Sequence, residues 1–260
     1  MKAIISDVHS NLEALRAVFA DIDAQGVDDV LCLGDVIGYG PDPRDCLDLV
    51  IKRCRLTVLG NHDEAALFDP KSFNPYAERV IFWTRAQLEL PGEARSVQER
   101  RWEFLAELPR IHREDGFTYV HASPRNPTSE YVFPEDVYDQ RKMGKIFGLV
   151  ERGCFMGHTH VPGIITEDGH YYHPEDIGGE HRLDARKVLC NVGSVGQPRD
   201  NDRRACYVVF DDETICFRRV AYNFDITRKK IQAVPDLRGG RDWLGGGDND
   251  PGPPPVGPVV

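Results

Sequence analysis

Five short segments of the chain carry side chains able to ligate metal. They are Asp7-Val8-His9, Gly34-Asp35, Gly60-Asn61-His62-Asp63, His121-Ala122-Ser123 and Gly157-His158-Thr159-His160. Together they supply three aspartates, one asparagine and five histidines. Carboxylate, amide oxygen and imidazole are the donors that hard and borderline divalent cations take. Asp7 and His9 stand two apart, as do His158 and His160, so each pair can face one cleft once the chain leaves a strand. Asp35 and Asn61 each follow a glycine, which permits a sharp turn toward an ion. Two cations ~3.5–4 Å apart need a bridging carboxylate, and such a pair activates water for hydrolysis. Taken singly, Asp-x-His and Gly-Asp are more often ordinary turns, and a lone histidine more often a satisfied core residue. All five segments follow short apolar runs, and that conjunction points to a two-metal hydrolytic site.

The elements that must position these residues read as an alternation. Strands are expected at Lys2 to Ser6, Asp29 to Leu33 and Arg55 to Leu59, with helices at Asn11 to Gln25 and Cys46 to Arg53 between them. Leu12, Leu15, Phe19 and Ile22 make one apolar stripe, Ser10 or Asn11 can cap it, and Gly26 can stop it. This is a parallel βαβ start. Residues 64–110 then break the alternation with two expected helices, Tyr76 to Leu90 and Ser96 to Leu108, an insertion that could cover the site or pack on the sheet. Strands return at Phe117 to Val120 and Cys154 to Met156 around a helix at Arg141 to Arg152. Four more follow at Gly163 to Thr166, Val188 to Val192, Ala205 to Phe210 and Thr214 to Val220. The expectation is an α/β fold of two mixed sheets flanked by helices. Residues 1–235 would form one domain, and residues 236–260, rich in Gly and Pro, a disordered tail.

In order and in kind, the five segments resemble the signature of the calcineurin-like metallophosphoesterases: Asp-x-His, Gly-Asp, Gly-Asn-His-Asp/Glu, a later His, and Gly-His-x-His. Asn191-Val192-Gly193-Ser194 is similar to a block of the small bacterial and archaeal phosphodiesterase branch. The resemblance implies a four-layer α-β-β-α sandwich. It implies that Asp7, His9 and His160 hold one metal, that Asn61, His121 and His158 hold the other, and that Asp35 bridges them. It implies a hydroxide shared by the ions as nucleophile, and His62 as the group that handles the leaving oxygen. Mixed ligands of this kind suit manganese first, with iron, zinc or nickel as alternatives. Asn11 and Arg199 are candidate substrate contacts, Asn11 competing with its role as helix cap and Arg199 with pairing to Asp200 or Asp202. Tyr39 and Tyr131 have no better standing than proximity to the motifs.

The Ser/Thr protein phosphatases continue Gly-Asp-x-x-Asp-Arg-Gly, whereas this chain has Gly38 and Tyr39 at the Asp and Arg positions. Asp63 also replaces the usual Glu. Phosphodiester hydrolysis is therefore the expected activity. A protein phosphatase or broad phosphomonoesterase is the alternative, and a non-catalytic metal-binding scaffold a further one.

A net charge of −10 argues against a surface for duplex nucleic acid but not against a nucleotide-like phosphate ester. No apolar run approaches the ~18 residues of a membrane span, and Lys2-Ala3-Ile4-Ile5 is too short for a secretory leader. Seven cysteines without close pairing are expected as buried thiols of a cytoplasmic protein.

Overall fold

The computed structural model describes residues 1–70 and 73–239. The chain begins with β1 (Lys2–Ile5), α1 (Leu12–Ala24), β2 (Asp29–Cys32), α2 (Pro43–Arg53) and β3 (Leu56–Thr57). Asn11 caps α1 by accepting from the Ala14 amide at 3.2 Å, and the helix buries Leu12, Leu15, Val18, Phe19 and Ile22 along one face. α2 starts three residues before the expected Cys46, because Pro43 fits the first helical turn, where no amide proton is needed.

The insertion follows as α3 (Asn61–Leu67), α4 (Pro75–Leu88) and α5 (Arg95–Glu107). α3 was not expected. It starts on Asn61 itself, so the insertion grows directly out of a ligand segment. The remaining elements are β4 (Ile111–Glu114), β5 (Phe117–Val120), α6 (Gln140–Phe147), β6 (Gly153–Met156), β7 (Gly163–Thr166), β8 (Tyr171–Tyr172), β9 (Glu180–Arg182), β10 (Val188–Asn191), β11 (Ala205–Phe210), β12 (Thr214–Val220) and α7 (Phe224–Ala233). α6 ends at Phe147, short of the expected Arg152, with Gly148 as its cap.

One six-stranded sheet runs β3-β2-β1-β11-β12-β9 and the other β4-β5-β6-β10-β7-β8. Both are mixed: β1, β2 and β3 are parallel, as are β5, β6 and β10, while the remaining pairings are antiparallel. The period of two along each strand sorts the layers. Ile4, Leu31, Phe155, Cys190, Val208 and Phe210 face the opposite sheet and fill the central core. Their neighbours Ala3, Ile5, Val30 and Cys32 face outward onto α1 and α2. Cys154, Met156, Ile165 and Leu189 face outward onto Met143, Ile146 and Phe147 of α6. The result is the expected helix–sheet–sheet–helix sandwich.

All seven cysteines are free, with Cys54 and Cys216 only partly buried. Pro235–Leu237 forms a short 3-10 helix, and Leu237 is buried against Val80 and Ile231, so packing continues past the expected boundary at 235. The expected tail lies outside the described residues from position 240 on. Among the described residues no helix is long and apolar enough to cross a membrane.

Candidate metal centre

Each ligand segment leaves the end of a strand, following β1, β2, β3, β5 and β6 in turn. The turns are tight. Asp7, His9, Asp35, His158 and His160 all have positive φ, between 46° and 67°. Asp, Asn and His tolerate this region better than other side chains, yet each such residue costs on the order of 1–3 kcal/mol. Backbone bonds clasp the turns together. The Asp7 amide donates to Gly34 O at 3.0 Å, the His9 amide to Asp35 O at 2.9 Å, and the Gly157 amide to His121 O at 2.8 Å. Asp63 adds a side-chain clamp, accepting from the Val36, Ile37 and Gly60 amides.

These turns bring donor atoms together in three sets. Asp7, His9 and His160 converge; so do Asp35, His121 and His158; and Asp35 also meets His9 and His62, with the donor atoms of each set within 4.8 Å of one another. Asp35 Oδ2 is 3.7 Å from His9 Nε2 and 3.3 Å from His121 Nε2. The carboxylate thus stands between the two expected ligand groups. Asn61 Oδ1 is 3.0 Å from His121 Nε2, which puts Asn61 with the second group. Asp7 Oδ1 is 3.2 Å from His160 Nε2 and 3.8 Å from His9 Nε2.

The donors fit divalent cations. The Nδ1 atoms of His9, His121 and His160 face the carbonyls of Ile37, Leu33 and Gln197 at 3.3, 2.9 and 2.6 Å. A carbonyl only accepts, so Nδ1 carries the proton and, in the neutral ring, Nε2 turns a lone pair inward. His9 Nε2 and His160 Nε2 then face each other at 3.1 Å, as do His121 Nε2 and His158 Nδ1. Buried nitrogen pairs at that distance need a positive charge between them.

Protonation states agree with this reading. Burial pushes His158 down to about 3 and lowers His9 and His160 as well. Burial works against ionised Asp7 and Asp35, but His160 beside Asp7 and His121 beside Asp35 outweigh it, and both carboxyls sit well below the usual range. His121 is the exception among the ligand histidines. Burial opposes its charge, yet Asp35 and Asp7 outweigh burial and push it up to about 9. The buried Asp63 is driven up to about 7, by desolvation first and then by Asp35.

His62 lies in the first turn of α3, nearly buried, with its amide donating to Asp35 Oδ1 at 2.8 Å. Burial holds its imidazole down to about 4. Gly38 lies against it: a Cβ at position 38 would stand 2.5 Å from His62 Nδ1. Among the described residues of the insertion, Phe73 packs edge-on to His62 at 4.8 Å and Tyr76 stacks behind Tyr39. α4 and α5 contribute Leu88 and Leu105 to the cluster around Cys46, Leu47 and Val50 of α2.

The expected substrate contacts separate. Asn11 is fully buried: its Oδ1 caps α1 and lies 3.0 Å from the Thr227 hydroxyl, and its Nδ2 donates to Gly196 O and Tyr222. Arg199 is exposed, with Nη2 donating to Gln197 Oε1 at 2.8 Å. Asp200 and Asp202, its expected partners, pair instead with Arg219 and Arg204. Its charge is felt at His9, His62 and His160, so it stands on the rim of the cluster. Tyr131 stacks on His158 with centroids 4.0 Å apart.

The Asn191–Ser194 block serves the site indirectly. Asn191 Nδ2 donates to Gly157 O at 2.7 Å and Thr159 Oγ1 at 2.8 Å, and Ser194 Oγ donates to Asp7 O at 2.9 Å. It buttresses ligand turns from both sheets, a role its spacing alone did not reveal.

Comparison with known proteins agrees with this geometry. A family model described as calcineurin-like phosphoesterase matches residues 3–162. An uncharacterized protein of Methanocaldococcus jannaschii is 36% identical over 257 residues, covering 94% of this chain and 98% of its own. The crystal structure of a metallophosphoesterase from Sphaerobacter thermophilus is 37% identical, with a TM-score of 0.75 over 89% of this chain and 93% of that one. A hypothetical protein from Pyrococcus horikoshii, 18% identical with a TM-score of 0.68 over 91% and 96% of the two chains, shares the fold. By sequence over most of its length, this chain belongs to the calcineurin-like phosphoesterase family.

Proposed function

We propose that the protein is a dinuclear metal-dependent phosphodiesterase. The observation that carries this reading is the position of Asp35, whose Oδ2 faces His9 Nε2 at 3.7 Å and His121 Nε2 at 3.3 Å. Asp7, His9 and His160 would hold one ion, Asn61, His121 and His158 the other, and Asp35 both. When bound, the pair would supply Lewis acidity toward phosphate oxygens and lower the pKa of water at the site. Manganese suits this oxygen and imidazole set, with iron, zinc or nickel as alternatives.

The chain's own groups do the rest. The ligand turns hold the cluster rigid before substrate arrives, so little reorganisation remains. A water that has given one proton to solvent forms a bond from its oxygen to phosphorus as the bond from phosphorus to the leaving oxygen breaks, and the leaving oxygen takes a proton. His62 is assigned to supply it. Burial holds the His62 imidazole down to about 4, which favours its neutral form. A phosphate anion beside the ring favours the charged form. Arg199 on the rim would meet a non-bridging oxygen or the far end of the ester. The preference for diesters rests on Gly38 and Tyr39, which leave no acid–arginine pair beside the site to grip a phosphomonoester dianion.

The test is a panel of phosphodiesters, phosphomonoesters and a phosphopeptide, assayed with added manganese. Diesters are expected to turn over fastest. Preference for the phosphopeptide would overturn the diester reading, and turnover of none would favour a metal-binding scaffold. His62→Ala should keep its metal and lose ~10²–10⁴-fold in turnover of esters with poor leaving groups. Loss of metal instead would move His62 into the ligand set, consistent with its contact with His9 and Asp35.

A further inference from the structure

His62 lacks the device that usually fixes a working histidine. A second ring nitrogen bonded to a carboxylate or carbonyl sets the ring's orientation. The ligand histidines His9, His121 and His160 have that bond, through Nδ1. Among the described residues, His62 Nδ1 is buried with no hydrogen-bond partner. Something other than hydrogen bonding must keep the ring from turning.

Ring contacts surround it instead. Tyr39 packs on His62 with centroids 4.4 Å apart and planes at 53°. His9 and Phe73 meet it edge-on, at 4.9 Å and 82° and at 4.8 Å and 81°. Gly38 forms the floor, since a side chain there would strike Nδ1. Among these contacts Tyr39, like His9, stands on a constrained backbone. Its φ is 56°, a left-handed conformation that bulky residues rarely adopt. Gly40, next in sequence, donates to His9 O at 3.0 Å and ties the loop to the first ligand turn. Tyr39 also contacts the His9 ring at 4.9 Å and is backed by Tyr76 at 6.3 Å, nearly parallel at 13°. The strained backbone therefore delivers one ring between a ligand histidine and His62, with a second ring behind it.

We propose that Tyr39 is the positioning residue of His62, holding the imidazole toward the leaving oxygen by ring packing where no hydrogen-bond partner does so. The inference rests on the role assigned to His62 above. Tyr39 acts through His62, so its removal costs only what His62 contributes. Misplacing a reacting group by about 1 Å can cost ~10²-fold, so a loss of roughly 10- to 100-fold is expected.

The experiment is a double-mutant cycle on manganese-loaded protein, using an aryl diester with a good leaving group and an alkyl diester with a poor one. Tyr39→Ala is expected to lower kcat on the alkyl diester by roughly 10- to 100-fold, with KM and the aryl diester little changed. Tyr39→Phe, which keeps the ring, is expected to recover most of the loss. In a His62→Ala background, adding Tyr39→Ala should cost nothing more. Metal content and circular dichroism report folding, and Tyr39→Leu serves as the second variant if Tyr39→Ala is unstable. Multiplying losses in the double variant, equal losses on both esters, or a Tyr39→Phe as slow as Tyr39→Ala would each overturn the positioning role. A His62→Ala protein with full alkyl-diester turnover would instead overturn the acid role, and the positioning role with it.

Discussion

Three constraints meet at Asp35. Its carboxylate faces His9 on one side and His121 on the other, its φ is 52°, and the His62 amide holds its second oxygen. Gly60 makes this possible, because a Cβ there would overlap Asp35 Oδ1 and its amide. Local repair after losing this carboxylate is therefore not available from a neighbour: Asp63, the nearest other acid in the motif, is committed to the Val36, Ile37 and Gly60 amides. Asp35→Ala is expected to lose at least one of the two ions and nearly all activity. Metal analysis of the purified variant checks this, and a protein that keeps both ions and full activity would remove Asp35 from the site.

At the scale of elements, the helices around the first sheet are held by a few buried polar ties. α5 buries Arg101 and Leu105, and Arg101 is 2% exposed while bonding Asp48 of α2 and Glu93. Arg101→Ala takes this partner from Asp48 and leaves Glu93 with Arg44 at 3.6 Å. A destabilisation of about 2–3 kcal/mol is expected, below the full value for a wholly buried pair because both acids are partly exposed. A shift in the urea midpoint without loss of metal would show it, since Arg101 touches no ligand turn. α7 is tied to α1 differently, by Lys230 and Thr227 donating to Glu13. Burial raises the Glu13 pKa, but the bonds from Lys230 and Thr227 outweigh it and leave it below its ordinary value of 4.5. A lowered folded-state pKa means that the stabilisation is present above the carboxylate range and lost as pH falls through it. Glu13→Gln should therefore cost about 1 kcal/mol at neutral pH. The gap to wild type should close on acidification below 4.5, as read from denaturation at several pH values.

Seen as a whole, the molecule assembles one site from both sheets. Asp7, His9, Asp35 and Asn61 follow strands of the first sheet, and His121, His158 and His160 follow strands of the second. The His158 amide donates to Asp7 Oδ2 at 3.0 Å, a direct link across the sandwich. Ions bound there would join the sheets and stabilise only the folded state. At a free ion concentration ~100-fold above the dissociation constant the gain is about 2.7 kcal/mol. For a domain of this size that is a shift of about 5–10 °C. A chelator is expected to lower the melting temperature by that amount and manganese to restore it. The Asp35→Ala variant should respond much less; an equal response in that variant would place the stabilising ions elsewhere.

Much of this was legible along the chain, because the chemistry is carried by short segments whose residue types are unusual together. Asp7, His9, Asp35, Asn61, His121, His158 and His160 are marked by the glycines and apolar runs around them, and the strands that present them are short-range patterns. α3 was not legible, since a seven-residue helix hidden inside a ligand motif has no apolar stripe of its own. Asn11 could be named either as cap or as contact, and only the packing of Tyr222, Gly196 and Thr227 around it decided for the cap. Tyr39 and the Asn191–Ser194 block gained their places for the same reason. Sequence by itself determined the candidate donors and the two mixed sheets flanked by helices, because both depend on residue type and local periodicity, while the four-layer sandwich was implied by the family resemblance. Tertiary structure alone decided which donors share Asp35 and what surrounds His62, because those contacts join residues from distant parts of the chain.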